Sequence, residues 1–243
     1  MVVYLTSDPG TTYIEGKTGL NDDNKFVENL KRHLKKENAK ILIMSSDPYD
    51  KKMNADNVKF VSEEFPKSGF NLEQVDICDD EHRDLVKNIC EYDLVLLAGG
   101  HVPTESKFFN EIDLYNEIRK FDGIVMGISA GTANQAEEVY AIPELEGESL
   151  DPEFKRFIPG LGLTFVNIIP HFQWLKTVML DGVNMITDIA YGDSYGRKFY
   201  GIVDGAYVLI EDGVHTLYGE GYLIQDGICT KICNKNETYI IEK

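Results

Sequence analysis

Two glycines bracket a serine in the stretch Gly127-Ile128-Ser129-Ala130-Gly131, which follows a short apolar run. A G-x-S-x-G element on a strand-to-helix turn is typical of a nucleophile elbow, which presents the serine hydroxyl to a substrate. The small flanking residues allow the chain to turn sharply and let a substrate approach. A tight turn whose serine only caps a helix is the alternative interpretation, and the motif alone does not decide between the two.

A glycine pair and a histidine end two other apolar segments of the chain. Gly99 and Gly100 follow one such segment, and His171 follows another. If these segments are parallel strands, their ends meet at one edge of the sheet, so we expect all three residues to converge on Ser129. Histidine is the usual base for a serine nucleophile, and glycine amides suit an oxyanion hole. His101, directly after the pair, is predicted to line the same cleft.

A histidine base also needs a carboxylate at its other ring nitrogen. Among the acidic residues between Ser129 and His171, the candidates that we consider are Glu137, Glu138, Glu144, Glu146, Glu148 and Asp151. The first two belong to the helix predicted after the serine and are expected to face solvent. The loop 141–148 is predicted to fold back over His171. The sequence of the loop does not indicate which of its three glutamates contacts the histidine.

The elements that must position these residues alternate between strand and helix over the first half of the chain. Continuously apolar strands favour a parallel sheet covered on both faces. One long helix is predicted over Ser106–Phe121, and the polar segment 7–23 is long enough to form an active-site flap. After residue 203, two β-rich runs around an Asp-Gly turn predict an antiparallel hairpin. We therefore predict a single α/β domain over residues 1–243.

Composition excludes several classes of function. The 24 basic and 41 acidic residues give a formal net charge of −17, which disfavours nucleic acid and anionic membrane surfaces as partners. No apolar run is long enough to span a bilayer, and no signal peptide is recognisable, so we expect a cytoplasmic protein. The four cysteines are expected to be reduced packing thiols. No metal or cofactor motif is present, so neither a metal nor a cofactor is predicted.

Three motifs in this order resemble one known family. The strings Leu97-Ala98-Gly99-Gly100, Gly127-Ile128-Ser129-Ala130-Gly131 and Pro170-His171-Phe172 are similar to the signature of the dipeptidase E and cyanophycinase family of serine peptidases. The resemblance extends from the first strand to about the hairpin at 203–217. It implies a flavodoxin-like three-layer α/β sandwich with a mainly parallel central sheet, to which the C-terminal hairpin is an antiparallel extension.

The resemblance also implies roles for individual residues. Ser129 matches the nucleophile and His171 matches the base, while Gly100 and Ala130 match the donors of the oxyanion hole. Spacing within the loop selects Glu146 as the third member of the triad, with Glu144 next. The predicted oxyanion and substrate-binding set is completed by Gly99, His101 and Gln173. The expected partner is a small peptide substrate, and the expected oligomeric state is a monomer or a homodimer.

One element of the family pattern is missing from the sequence. Dipeptidase E holds the aspartyl side chain of its substrate with an arginine beyond the histidine, whereas the next arginine here is Arg197. Neither Lys176 nor Arg197 matches that arginine, so an N-terminal aspartyl preference does not carry over.

Two other functions remain open at this level. One is an esterase that uses the G-x-S-x-G serine, and the other is an inactive ligand-binding protein on the same fold. A glutamine amidotransferase is excluded because the residue at the elbow is serine rather than cysteine.

Overall fold

The computed structural model describes residues 1–10 and 16–243. Residues 11–15, part of the segment predicted to be a flap, lie outside the described residues. The strands, in chain order, are β1 (Val2–Thr6), β2 (Ala39–Met44), β3 (Leu72–Cys78), β4 (Leu94–Leu97), β5 (Ile124–Ile128), β6 (Glu138–Tyr140), β7 (Phe157–Pro159), β8 (Asn167–Ile169), β9 (Met179–Leu180), β10 (Val183–Asn184), β11 (Lys198–Ile202), β12 (Tyr207–Glu211), β13 (Val214–Tyr218), β14 (Gly221–Gln225), β15 (Ile228–Cys233) and β16 (Thr238–Ile241).

The helices are short, apart from two on opposite sides of the main sheet. They are α1 (Phe26–His33), α2 (Lys51–Lys67), α3 (Val102–Glu111), α4 (Leu114–Ile118), α5 (Ala130–Ala133), α6 (Phe172–Leu175) and α7 (Tyr191–Asp193). Turns of 3₁₀ helix occupy Asp23–Lys25 and Arg83–Glu91, and a π-helical turn occupies Met185–Ala190. Within the described ranges, no helix combines the length and the apolar character that crossing a membrane requires.

Eight strands form the main sheet in the order β16-β13-β12-β1-β5-β4-β2-β3. The five strands from β1 to β3 in that order run parallel, and β12, β13 and β16 extend the edge antiparallel. The α/β fold with a mainly parallel sheet and an antiparallel C-terminal extension is therefore confirmed. Because the ends of the parallel strands meet at one edge, β4 and β5 deliver the glycine pair and the serine to the same place.

Alternate residues of the central strands explain the two large cores. Ile41 and Ile43 of β2 pack with α1 and α2 on one face of the sheet, whereas Leu42 and Met44 pack with α3 and α4 on the other. Successive side chains of a strand point to opposite faces, so a continuously apolar strand requires cover on both sides. The result is the three-layer sandwich that the sequence pattern predicts.

A second, four-stranded sheet carries the other half of the site. Its order is β15-β14-β11-β8, and β11 pairs with β8 in parallel, with Gly201 opposite Ile169. The C-terminal quarter therefore divides between the two sheets, since β14 and β15 join this one. Parallel pairing places the segments after β8 and β11 side by side.

The long helix predicted over residues 106–121 is wrong. Two shorter helices, α3 and α4, stand in its place and are separated at Asp113. The backbone of Asp113 is left-handed, with φ of 55°, which interrupts the helical hydrogen bonds. The apolar periodicity continues across the break because both helices pack on the same face of the sheet. For this reason the sequence pattern predicts a single helix.

Replacing Ile43 by alanine tests the two-sided burial of the central strands. Ile43 is fully buried, so the truncation loses apolar burial and leaves a cavity, and we expect a loss of about 2–5 kcal/mol in the free energy of unfolding. Urea denaturation followed by circular dichroism measures it. The matched control is Ile228→Ala, on a side chain that is 65% exposed. Equal losses in the two variants would contradict this description of the core.

Candidate active site

Ser129 lies on a sharp turn between β5 and α5. Its backbone has φ of 52° and ψ of −110°, a conformation that a residue with a side chain adopts only when its surroundings hold it there. The amide of Ser129 donates to the carbonyl oxygens of Thr6 and Ser7, each at 3.1 Å. The Thr132 hydroxyl donates to the same Thr6 carbonyl at 2.7 Å. The end of β1 therefore fixes the turn.

The two glycines of the motif are required by close packing. A Cβ atom at Gly127 would lie 2.3 Å from Nε2 of Gln135, and one at Gly131 would lie 2.3 Å from the carbonyl oxygen of Leu97. Neither space admits a side chain, and the obstacle at Gly131 is backbone that cannot move aside. The pattern on either side of Ser129 therefore follows from the geometry of the elbow.

His171 follows β8 and faces the serine. Its Nε2 atom lies 3.0 Å from Oγ of Ser129, within the range for a hydrogen bond between a nucleophile and its base. The two residues are 42 positions apart in the chain and come from different sheets. The structure thus brings together the serine and the histidine that the sequence pairs.

Asp204 occupies the position at Nδ1 of His171, which corrects the expectation for Glu146 or Glu144. Oδ1 of Asp204 lies 2.7 Å from Nδ1 of His171. Glu146 is exposed in its loop and does not line the cavity that contains Ser129. Glu144 does line that cavity, but no hydrogen bond joins it to His171 among the described residues. The parallel strands β8 and β11 supply the reason, because His171 and Asp204 follow their adjacent ends.

Ser7 makes hydrogen bonds to Ser129, His171 and Asp204, although the sequence does not mark it as a candidate. Its carbonyl accepts from the amide of Ser129. Its hydroxyl accepts from the amide of His171 at 2.7 Å and donates to Oδ1 of Asp204 at 2.6 Å. Ser7 is fully buried, and its hydrogen bonds to His171 and Asp204 are partly shielded from water. One residue at the end of β1 therefore fixes the relative positions of the other three.

Gln173 holds Asp204 from the other side. Its Nε2 donates to Oδ2 of Asp204 at 2.5 Å, and its Oε1 accepts from the amide of Asp204 at 3.1 Å. Gln173 was predicted to contact substrate, but it is not among the residues that line the cavity. The structure places it beside the carboxylate instead.

The glycine pair adjoins the serine. A Cβ atom at Gly99 would lie 3.4 Å from Cβ of Ser129, and one at Gly100 would lie 2.4 Å from Oγ of Ser46. Gly100 lines the cavity with Ser129, and its amide donates to no residue of the described ranges. Ala130 is the first residue of α5, so its amide has no acceptor within the helix. Both amides are thus available to a ligand.

His101 lines the same cavity and is held by its neighbours. Its Nδ1 lies 2.8 Å from Oγ1 of Thr104, and its Nε2 lies 2.9 Å from Oε1 of Glu148. Oε2 of Glu148 accepts from the amides of Glu144 and Leu145. The contact between His101 and Glu148 does not have hydrogen-bond geometry, but it brings the loop that carries Glu144 next to the start of α3.

Carboxylates dominate the electrostatics around His171. Burial disfavours the charged imidazolium, but the hydrogen bond and charge of Asp204, with the charges of Asp8 and Glu144, outweigh it and raise the pKa of His171. Burial also opposes the charge on Asp204, yet the hydrogen bonds from His171 and Ser7 hold its pKa below the usual value. The geometry therefore stabilises a protonated histidine next to an ionised aspartate.

The pKa values of two further carboxyl groups near the site, those of Asp8 and Glu144, are raised, in contrast to that of Asp204. Burial raises the pKa of Asp8. Burial, with the neighbouring Glu148, raises the pKa of Glu144 to about 7, although the side chain remains open to the cavity. Over the described part of the chain, no group of three His, Cys, Asp or Glu side chains is arranged to hold a metal ion.

A serine on an elbow, a histidine at hydrogen-bond distance and an aspartate behind it on an α/β sandwich are the parts of a serine hydrolase. The model of peptidase family S51 matches residues 16–218, which is most of the chain. The chain belongs to peptidase family S51, the family of dipeptidase E and cyanophycinase, and it is a serine peptidase. The resemblance in the sequence is thereby confirmed.

Solved structures agree on the fold. A peptidase from an acI-B1 Actinobacterium superposes with a TM-score of 0.68 at 14% identity, over 99% of this chain and 96% of the other. A putative peptidase E from Listeria monocytogenes EGD-e gives a TM-score of 0.53 at 14% identity, over 96% of this chain and 98% of the other. No curated protein matches the chain significantly in sequence.

Replacing Asp204 by asparagine tests the electrostatic description of the site. The amide keeps the shape of the side chain but removes the charge that favours imidazolium, so we expect the pKa of His171 to fall. An NMR titration of the imidazole carbons measures it. Asp56→Asn, on the exposed face of α2, is the matched control and should leave the titration unchanged. An unaltered His171 pKa in the Asp204 variant would contradict the assignment.

Proposed function

We propose that this S51 peptidase hydrolyses small peptides through a triad of Ser129, His171 and Asp204. The observation that carries the proposal is a continuous pair of contacts: Oγ of Ser129 lies 3.0 Å from Nε2 of His171, and Nδ1 of His171 lies 2.7 Å from the carboxylate of Asp204. Ser129 lines a cavity that Gly100 also lines. This arrangement supports acyl transfer through these three groups.

In the first half of the reaction, Nε2 of His171 takes the hydroxyl proton as Oγ of Ser129 attacks the peptide carbonyl. The imidazolium that forms is stabilised by Asp204, which accepts a hydrogen bond from Nδ1. The amides of Gly100 and Ala130 stabilise the negative oxygen of the tetrahedral intermediate. His171 then donates its proton to the leaving amine, and the C–N bond breaks.

In the second half, a water molecule replaces the amine. His171 removes a proton from the water as it attacks the acyl-enzyme. It then returns that proton to Oγ of Ser129 as the C–O bond breaks and the product acid is released. The raised pKa of His171 suits the proton-donating step, while the neutral form is required at the start of each half. Ser7 and Gln173 hold Asp204 in one orientation throughout, so the imidazole keeps the correct ring nitrogen toward the serine.

Substitution of Ser129 by alanine tests the proposal. Without the nucleophile, we expect hydrolysis of small peptides to fall by roughly 10⁴- to 10⁶-fold, with the circular dichroism spectrum unchanged. The measurement is the release of amino acids from a dipeptide mixture, followed by mass spectrometry.

The matched control is Ser62→Ala, at an exposed position of α2, which should retain full activity. If the Ser129 variant hydrolyses the mixture at the wild-type rate, the proposed triad is wrong. If wild-type protein cleaves p-nitrophenyl esters in a Ser129-dependent reaction but no peptide, the esterase alternative replaces the proposed function.

A further inference from the structure

The cavity beside Ser129 has mostly apolar walls, although His101, Glu144 and His171 also line it. Its volume is about 380 Å³, within the range of pockets that hold small ligands. Side chains from the loop after β6, from β8 and from the segment that follows His171 form the walls, among them Ile142, Ile168, Trp174, Leu175, Val178 and Leu180. Water in this cavity would find few hydrogen-bond partners, whereas binding an apolar side chain there is favourable because it removes apolar surface from water.

The position of this cavity identifies the part of the substrate that it faces. Ser129, Gly100 and His171 all line it. In the proposed reaction the carbonyl oxygen lies at the amide of Gly100 and the leaving nitrogen lies near Nε2 of His171, so the α-carbon of the acyl residue is the remaining group that can enter the cavity. The side chain of that residue, on the acyl side of the scissile bond, is then the group nearest the apolar walls.

The charges around the cavity are unfavourable for an acidic side chain. Of the described residues that line it, none is lysine or arginine, and Glu144 adds a carboxyl group. Lys176 and Arg197 are the first lysine and the first arginine after His171 in the sequence, and neither lines the cavity. The guanidinium of Arg197 packs on the ring of Phe157 beside Glu138, and Lys176 lies over the ring of Tyr222.

A carboxylate entering such a cavity would lose its hydration and would meet no lysine or arginine, and the imidazolium of His171, which lines the cavity, is already paired with Asp204. Burial of a charge that lacks its own partner is costly. A lysine side chain would meet one carboxyl group among the described lining residues, that of Glu144, and its ammonium would otherwise be surrounded by apolar walls. The apolar walls are the larger part of the surface that a side chain would contact.

We propose that the residue on the acyl side of the scissile bond is aliphatic or aromatic, and that the cavity beside Ser129 is its binding site. This inference rests on the proposed function, because it takes Ser129 as the nucleophile. It assigns Leu145 and Trp174, which are 53% and 61% exposed, to the rim of the site. Exposed apolar side chains at the entrance of an apolar cavity are the arrangement that an apolar substrate group would cover.

The first test compares kcat/KM for the p-nitroanilides of leucine, phenylalanine, aspartate and lysine, which share one leaving group. We expect the leucine and phenylalanine compounds to exceed the aspartate and lysine compounds by roughly 10²-fold or more, since an apolar pocket disfavours an added hydroxyl by about 10²-fold and a charged group costs more to bury. Equal values, or a preference for aspartate or lysine, would overturn the inference.

A second test moves a positive charge to the rim. Leu145 lines the cavity at an exposed position, so the fold should tolerate the substitution Leu145→Arg. In this variant we expect the ratio of kcat/KM for the aspartate compound to that for the leucine compound to rise about tenfold or more. The matched control is Leu150→Arg, which is 68% exposed and outside the cavity lining, and should leave the ratio unchanged. An unchanged ratio in both variants would contradict the assignment of the cavity.

A fluorophosphonate probe separates this inference from the function on which it rests, because it reacts with an activated serine whatever the substrate preference. If the probe labels Ser129 while the aspartate compound is preferred, the inference fails and the proposed function stands. If no p-nitroanilide is cleaved and Ser129 is not labelled, both fail. If none is cleaved but Ser129 is labelled, the inference alone fails.

Discussion

The site depends on the hydrogen bonds that Ser7 makes at the end of β1. Its carbonyl holds the amide of Ser129, and its hydroxyl lies between the amide of His171 and the carboxylate of Asp204. The central position of β1 in the main sheet makes it a rigid support. Because hydrogen bonds shielded from water are stronger and cost more when left unmade, this buried connection defines the relative positions of three groups that come from different parts of the chain.

Two sheets must meet for this connection to form. The main sheet delivers Ser129 and the glycine pair, whereas the second sheet delivers His171 and Asp204 on the adjacent strands β8 and β11. The strained turn at Ser129 and the left-handed conformation of His171, with φ of 51°, show that both sides depart from regular structure where they meet. Strain of this kind is retained where the surrounding contacts over-determine the backbone.

The fold and part of the site are predictable from the sequence for a common reason. Apolar strands such as β4 and β5 are readily recognised, and the residues at their ends, Gly99, Gly100 and Ser129, follow directly. Asp204 is not predicted, because it lies beyond His171 in the chain whereas the candidate carboxylates precede His171, and because the segment before Asp204 is not predicted as a strand parallel to β8. Identifying β11 would have placed Asp204 beside His171. The break at Asp113 and the contact of Gln173 with Asp204 arise from tertiary packing, which no local pattern reports.

The acidity of the site connects its electrostatics to its chemistry. Asp204, Asp8 and Glu144 together favour a protonated His171, so the neutral base needed to activate the serine becomes scarcer as the pH falls. In the proposed function, the mostly apolar cavity next to this acidic cluster holds the substrate side chain away from the place where charge develops. No lysine or arginine is among the described residues that line this cavity.

The most direct test of the triad is the pH dependence of the rate at which a fluorophosphonate modifies the protein, with the modified residue identified by mass spectrometry. The account predicts that Ser129 alone is modified and that the rate falls as His171 becomes protonated, with a midpoint above the ordinary histidine value of 6.5. The Asp204→Asn variant should react more slowly, with its midpoint at a lower pH. Modification of a different residue, or a rate independent of pH across the titration of His171, would contradict the account.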